Sequence, residues 1–349
     1  MADIDIRIEG RAGRITLTRP KALNALSYEM CLAIDAALKA WADDDAVALV
    51  LIDAEGEKAF CAGGDIAEMY ATGRAGDYSY GRRFWADEYR MNARLAEYTK
   101  PVVSFLQGFV MGGGVGVGCH ARHRVVGETS QIAMPECGIG LIPDVGGSHL
   151  LARAPGALGA YLGLTGARMG PGDAIHAGFA DLFLPEAEWE DAKAALIASG
   201  DVATLQDATP PEPALTGQAA KIDRIFALPE LAAIEEALSD EAGEFAAQTL
   251  KTLRRNAPLS MACTLAMLRN LGRDSTIRAA LAQEYRFTWR SMEQADFLEG
   301  IRAAIIDKDR NPHWQHAGPA DVTPEEVENM LASLGADELS FDDHEENQG

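Results

Sequence analysis

The sequence is short of basic residues, poor in cysteine and without any long apolar run. Its 349 residues hold 31 Lys and Arg against 53 Asp and Glu, a formal net charge of −22. A general nucleic-acid binder needs a dense basic face, and so does a protein resting on anionic lipid, so both classes are excluded. The longest purely apolar run, Ala46 to Ile52, is far below the ~20 residues of a membrane-spanning helix. The N-terminus alternates polar with apolar residues and has early acids, unlike a signal or transit peptide. The five cysteines, at 31, 61, 119, 137 and 263, are an odd number at irregular spacing. That argues for reduced thiols, and the expectation is a cytoplasmic protein. Cys119, His120 and His123 resemble half of a metal site with no second half, so no metal is expected. The chain also lacks a G-K-S/T phosphate loop, a G-x-S-x-G elbow and a G-x-G-x-x-G dinucleotide fingerprint.

What the chain does have is enough apolar residue, 48%, for a large core. Arg14 to Thr18 reads as a strand. Ser27 reads as the N-cap of a helix carrying Met30, Ile34, Ala37, Leu38 and Trp41. Val47 to Asp53 is near-continuously apolar, as a strand buried on both faces is. A long helix is expected at about Tyr80 to Tyr98, strands at Pro101 to Leu106 and His123 to Val126, and a helix from Asp144. This alternation is an α/β signature. The Pro-rich stretch from about 200 to 216 reads as a boundary. Beyond it the periodicity is helical only, over Leu228 to Leu238, Ala242 to Asn256, Leu259 to Leu271 and Thr276 to Met292. The expected organisation is a core over 1–200, a helical region over 201–319 and a partly disordered acidic tail over 320–349. The last 30 residues hold ten acids and no Lys or Arg, with one amphipathic stretch from Pro324 to Leu334.

Two turns carry the first chemical signal: Ala62-Gly63-Gly64-Asp65 and Gly112-Gly113-Gly114-Val115-Gly116. Each follows a strand and opens a helix. Glycine there permits positive φ and lets a ligand approach the backbone N–H groups. Brought together, two such turns could aim two donors at one oxygen, as an oxyanion hole does. The competing reading is tight strand–helix packing.

With Asn24 in Arg19-Pro20-Lys21-Ala22-Leu23-Asn24-Ala25-Leu26, then Phe60 to Ile66, then the Gly112–Gly114 turn, the chain resembles the crotonase (enoyl-CoA hydratase/isomerase) superfamily. Met134-Pro135-Glu136, Pro143-Asp144-Val145-Gly146-Gly147, Glu299 to Arg302 and Ile306 to Trp314 resemble its 3-hydroxyisobutyryl-CoA hydrolase branch. The resemblance implies a spiral of β-β-α units with an α-helical C-terminal region. It implies a CoA thioester as substrate, no separate cofactor, and a homo-oligomer, a trimer or a multiple of one. The thioester oxygen would accept from Ala62, or Gly63, and Gly113. CoA would lie along Lys21, Ala22, Leu23, Ala25, Gly64, Asp65 and Ile66, with Lys21 and Arg19 as candidates for the phosphates; the competing reading makes these two solvated surface cations.

The carboxylates set the expected reaction. The hydratases use two glutamates, one lying two residues after the glycine triplet; here that position is Gly116. The second matches Glu136, and Asp144 stands where the hydratases carry glycine. Thioester hydrolysis fits this inventory, because a thiolate leaves readily and the α-carbon needs no acid. Glu136 would act as base or nucleophile, and Asp144 would position water or substrate and shuttle a proton. Asp144 could instead N-cap the helix behind it, and Glu136 could be a surface loop acid. Glu88 falls on the apolar stripe Tyr80, Phe84, Met91, Leu95, where a carboxylate is costly unless it is used or paired. The resemblance makes it a contact for the substrate's hydroxyl; the competing reading is an ion pair with Arg90, Arg94 or another core cation. The expected substrates are 3-hydroxyisobutyryl-CoA of valine breakdown and 3-hydroxypropionyl-CoA. The rival activities are hydration or isomerisation of a short-chain enoyl-CoA, and binding of an acyl-CoA or a protein partner without catalysis.

Overall fold

The computed structural model describes residues 3–342. It opens with an antiparallel hairpin, β1 (Ile4–Glu9) and β2 (Ala12–Leu17), followed by α1 (Tyr28–Trp41). The units that follow are β3 (Leu49–Ala54) with β4 (Ala59–Cys61), α2 (Ala67–Arg74) and α3 (Ser79–Ala96); β5 (Val102–Phe105) with β6 (Phe109–Met111) and α4 (Gly113–Gly118); and β7 (His123–Val126) with β8 (Gln131–Ala133). Then come α5 (Gly147–Arg153), α6 (Leu158–Thr165), α7 (Pro171–Ala177), β9 (Leu182–Phe183) and α8 (Trp189–Ser199). The larger sheet has the order β1-β2-β3-β5-β7-β9, and the smaller has β4-β6-β8. Each β-β-α unit therefore gives one strand to each sheet, and from β2 onward neighbours run parallel. This is the expected spiral.

Local chemistry explains the first units. Ser27 Oγ accepts from the Met30 N–H at 3.3 Å and caps α1, whose Met30, Ile34, Ala37, Leu38 and Trp41 are buried. Strand β3 is apolar almost without a break because both its faces are covered. Val50 and Ile52 enter one apolar cluster, and Leu49 and Leu51 enter a second on the opposite face. Its last buried residue, Asp53, is held by Arg14 at 2.7 Å and Lys193 at 3.2 Å.

The later chain is helical: α9 (Ala219–Phe226), α10 (Leu231–Asp240), α11 (Glu244–Leu253), α12 (Pro258–Leu271), α13 (Ile277–Gln294), α14 (Phe297–Ile301), a π-helical turn Arg302–Ile306 and α15 (Pro324–Leu331). Helix α9 was not foreseen, and it packs on α6. The Pro-rich stretch is docked on the spiral: the Leu215 N–H donates to Asp173 Oδ1 at 2.8 Å, and Pro211 O lies against Gly172. One apolar cluster runs from Ile15 to Leu339, so the helices share their core with the sheets.

The acidic tail also packs as far as it is described. Thr323 and Glu326 form a capping box on α15, Arg286 pairs with Glu338 at 3.0 Å, and Arg90 Nε donates to Ser340 O at 2.8 Å. The part of the expected disordered tail at 343–349 lies outside the described residues.

One boundary is corrected. The helix expected from Asp144 begins at Gly147. Val145 and Gly146 lie at φ 53° and 78°, in the left-handed region, which no α-helix can continue through. Gly146 is the N-cap residue, so Asp144 is not a side-chain cap of this helix.

Candidate active site

The three strands of the small sheet run parallel, and the turns that leave their C-terminal ends converge. Strand β4 exits into Ala62–Gly64, β6 into Gly112–Gly113, and β8 into Met134–Glu136. These turns line one cavity of about 260 Å³, together with Glu88 from α3, Asp144, Phe297 from α14 and Ile305 from the π-helical turn.

The two glycine turns abut each other. A Cβ placed on Gly113 would lie 3.3 Å from Gly64 N and 3.2 Å from Glu88 Oε1, and one on Gly112 would lie 3.1 Å from Glu136 Oε1. Any side chain here would push into the second turn or into a carboxylate. The donors differ in part from those expected. The Ala62 N–H is spent on Leu23 O at 3.0 Å. Among the described residues the N–H groups of Gly64 and Gly113 meet no acceptor, and both residues line the cavity. Gly63 reaches φ 127°, which only glycine adopts readily, and this brings the Gly64 N–H to the cavity. Gly63 itself also lines the cavity.

Three carboxylates enter this apolar space. Glu88, Glu136 and Asp144 are each 4% exposed. Among the described residues Glu88 Oε1 and Glu136 Oε2 are buried without a hydrogen-bond partner. Burial, with the nearby Asp144, holds both glutamates well above the usual carboxylate range. Burial also pushes Asp144 up to about 7, against the pull of the Tyr89 hydroxyl that donates to its Oδ2 at 2.8 Å. The ion pair considered for Glu88 does not form: Arg90 pairs with Asp87 at 2.8 Å, and Arg94 with Asp35 at 2.8 Å. Glu136 is no surface acid.

Gly116 is sealed. A Cβ there would meet Asn92 Nδ2 at 2.8 Å and Val145 Cβ at 2.9 Å, so no larger residue fits without moving both. His120 Nε2 lies 2.7 Å from Val145 O, and burial lowers the ring's pKa to about 4, so the neutral imidazole donates to that carbonyl. Among the described residues no cluster of His, Cys, Asp and Glu could hold a metal ion.

The segment expected to bear CoA runs beside the first turn. The Ala62 N–H donates to Leu23 O, the Leu26 N–H to Gly63 O, and the Asp65 N–H to Leu26 O, all within 3.0 Å. Ala22 and Ala25 sit on this segment, and Ile66 lines the cavity. Arg19 pairs with Asp65 at 3.0 Å and with Asp3 at 3.3 Å and donates to Ala25 O, contacts that tie it to the turn. Lys21 and Lys58 flank an open groove with Leu23 and Gly56.

Sequence reasoning missed Tyr89, Asn92 and Glu284. Glu284 is wholly buried, and it lies on the stripe Ile277, Ala280, Leu281, Phe287 of α13. That is the same signal that singled out Glu88.

Known proteins share this architecture. The family description "Enoyl-CoA hydratase/isomerase" matches residues 12–331. A protein of Gallus gallus named "3-hydroxyisobutyryl-CoA hydrolase, mitochondrial" is 36% identical over 97% of this chain and 91% of its own length. A crystal structure of an enoyl-CoA hydratase from Rhodobacter sphaeroides 2.4.1 is 61% identical, covers 97% of this chain and 100% of that one, and superposes with a TM-score of 0.95. A carnitinyl-CoA dehydratase from Mycobacterium thermoresistibile is 40% identical over 98% of this chain and 100% of that one, with a TM-score of 0.94. The cytoplasmic expectation is overturned by these names, since the Gallus gallus relative is mitochondrial. Five reduced, buried thiols fit any reducing compartment, so the cysteine argument could not separate the two.

Proposed function

The chain belongs to the enoyl-CoA hydratase/isomerase family, and from that premise we propose that its cavity hydrolyses the thioester of a short 3-hydroxyacyl-CoA. The expected substrate is 3-hydroxyisobutyryl-CoA, formed in valine breakdown, with 3-hydroxypropionyl-CoA as a second. The observation that carries the reading is the carboxylate inventory. Glu136 and Asp144 face the cavity, while Gly116 leaves no room for the second proton-transferring side chain that hydration needs. The acyl-CoA hydrolase name of the Gallus gallus relative supports it.

In this mechanism the thioester carbonyl oxygen lies between the N–H groups of Gly64 and Gly113, with Gly64 taking the place first given to Ala62. Glu136 either attacks the carbonyl carbon or takes a proton from an attacking water. Either attack places a tetrahedral oxyanion at the two donors, each worth ~10²–10³ in rate. The C–S bond then breaks. In the water route the proton that Glu136 took from water reaches the thiolate through Asp144. In the nucleophilic route the thiolate leaves an acyl–Glu136 anhydride, which a water then cleaves to release the acid and regenerate the Glu136 carboxylate, and that water's proton passes through Asp144 to the thiolate. Glu88 accepts from the substrate's hydroxyl. A buried carboxylate with an unpartnered oxygen is poised for such a donor. The CoA moiety follows Lys21 to Ala25 and Gly64 to Ile66, and the open groove by Lys21 and Lys58 takes its phosphates. The two hydroxyacyl groups differ by one methyl, worth about 1–3 kcal/mol in a pocket, so discrimination between them is modest.

A second reading, hydration of a short enoyl-CoA, is favoured by the hydratase name of the Rhodobacter sphaeroides relative. One experiment separates the two. Thiol release from 3-hydroxyisobutyryl-CoA and hydration of crotonyl-CoA are followed in parallel for the wild type and Glu136→Gln. Thiol release that falls at least ~10²-fold in the variant, without crotonyl-CoA hydration, is the expected result. Full thiol release by Glu136→Gln removes that residue from its role, and hydration without thiol release establishes the second reading.

A further inference from the structure

Asp144 is held by an unusual piece of backbone. Val145 behind it is β-branched and sits at φ 53°, a conformation such residues avoid, and Gly146 follows at φ 78°. Such a turn persists only where its surroundings over-determine it. Two of its polar groups are gripped from outside the loop. His120 donates to Val145 O, and Gly146 N–H donates to Glu284 Oε2 at 2.8 Å. The Ser148 N–H donates to Glu284 Oε1 at 3.1 Å, and the Ser148 hydroxyl donates to the same oxygen.

Glu284 comes from α13, 138 residues away in sequence from Gly146, and is 0% exposed. It does not line the cavity. A wholly buried glutamate on an apolar stripe is costly, and three donors from one turn offset that cost. Its neighbour on the helix, Tyr285, packs against the donor to Asp144. The Tyr285 ring meets the Tyr89 ring edge-on at 6.1 Å, and Tyr89 is the donor to Asp144 Oδ2. One turn of α13 therefore fixes both the backbone that follows Asp144 and the ring that backs its hydrogen-bond donor.

We infer that Glu284 is a positioning residue for the reaction: it locks the Val145–Ser148 turn that aims Asp144 into the cavity. The inference rests on the role proposed for Asp144. Its reach is turnover and not binding, because among the described residues the hydrogen bonds of Glu284 all go to the turn that follows Asp144.

The test is a double-mutant cycle on thioester hydrolysis with Asp144→Asn, Glu284→Gln and the pair. In Glu284→Gln the amide nitrogen confronts N–H donors and the grip loosens. A reacting group displaced by ~1 Å costs up to ~10²-fold in rate. The expected result is a 10- to 100-fold loss in kcat with KM within about threefold of wild type. The double variant should then be no slower than Asp144→Asn within about threefold, since a lock has nothing left to aim. Multiplicative losses, or a folded Glu284→Gln with wild-type kcat, overturn the inference. Should Glu284→Gln fail to fold, Ser148→Ala decides. It removes one of the three bonds and should lower kcat about 3- to 10-fold at constant KM, and wild-type kcat there is equally fatal. An Asp144→Asn variant with full activity defeats the underlying reading. A slow Asp144→Asn beside a wild-type Glu284→Gln defeats only this inference.

Discussion

Asp144 should cost the protein stability in proportion to what it gives the reaction, and pH exposes the exchange. Its carboxyl keeps its proton up to about pH 7 in the folded chain, because it is buried, whereas in the unfolded chain it releases the proton near 3.8. Between those values the folded state binds more protons than the unfolded state, so stability is fully present below the lower value and falls as pH rises. The slope is about 1.4 kcal/mol per pH unit for one group. Over the roughly three units that separate the two states, this amounts to about 4 kcal/mol, fully lost above pH 7. Asp144→Asn removes the titration while its amide oxygen can still accept from Tyr89. The variant should match the wild type near pH 4 and exceed it at pH 8 by up to about 4 kcal/mol, against a typical total of about 5–15 kcal/mol. At an m-value near 3 kcal/mol/M, the urea midpoint moves up by about 1 M at pH 8. Removing this charge also lowers the pKa of Glu88, Glu136 and Glu284, all of which it raises, so the neighbours act in the same direction. The assay is urea unfolding of both proteins at pH 4 and pH 8 at equal ionic strength, alongside hydrolysis, where kcat should fall ~10²–10⁴-fold. A stability difference that is the same at both pH values, or a variant weaker than wild type at pH 8, refutes the reasoning.

Two further outcomes are expected. The rate of hydrolysis should rise with pH, because Glu136 must be ionised to act as base or nucleophile and burial, with Asp144, holds its carboxyl well above the usual range; a flat profile between pH 5 and 8 contradicts this. Gly116→Ala should lose about 1–3 kcal/mol of stability in thermal or urea melts and slow hydrolysis, because its Cβ strikes Asn92 and Val145. Gly170→Ala, at φ −71° with nothing within 4 Å, is the matched control and should stay within about 0.5 kcal/mol.

What was legible in the sequence was what local periodicity encodes. Ser27 and its helix, the doubly buried β3 and the long α3 follow from nearest-neighbour spacing, and Glu88 was found because it breaks an apolar stripe. Glu284 breaks its stripe in the same way, but its partners are the backbone N–H groups of residues 146 and 148, which no spacing within α13 reveals. Arg19 looked like a free cation because Asp65, its partner, is 46 residues away. The Ala62 N–H looked available because its acceptor, Leu23 O, comes from the segment before α1. The helix boundary after Asp144 failed for a different reason. Val145 is a poor candidate for positive φ, and His120 and Glu284, both distant in sequence, grip the turn from outside.

These tertiary contacts bear on how one cavity could serve two reactions. The resemblance places one of the hydratases' two glutamates, the partner of the one matched by Glu136, at the position of Gly116, on α4. Here that position is flush against Val145, so the loop behind Asp144 occupies the volume into which a side chain from α4 would extend. The second carboxylate enters instead from that loop, and it carries a tyrosine donor of its own. A carboxylate arriving from the opposite wall cannot be exchanged for one on α4 by substitution at Gly116 alone, because the two compete for the same space. Gly116→Glu in this chain should therefore displace the Val145 turn, and with it Asp144, and abolish hydrolysis without creating hydration. Measurable crotonyl-CoA hydration by that variant, with Asp144 intact, would show that the volumes are separable and that the two carboxylate arrangements can coexist.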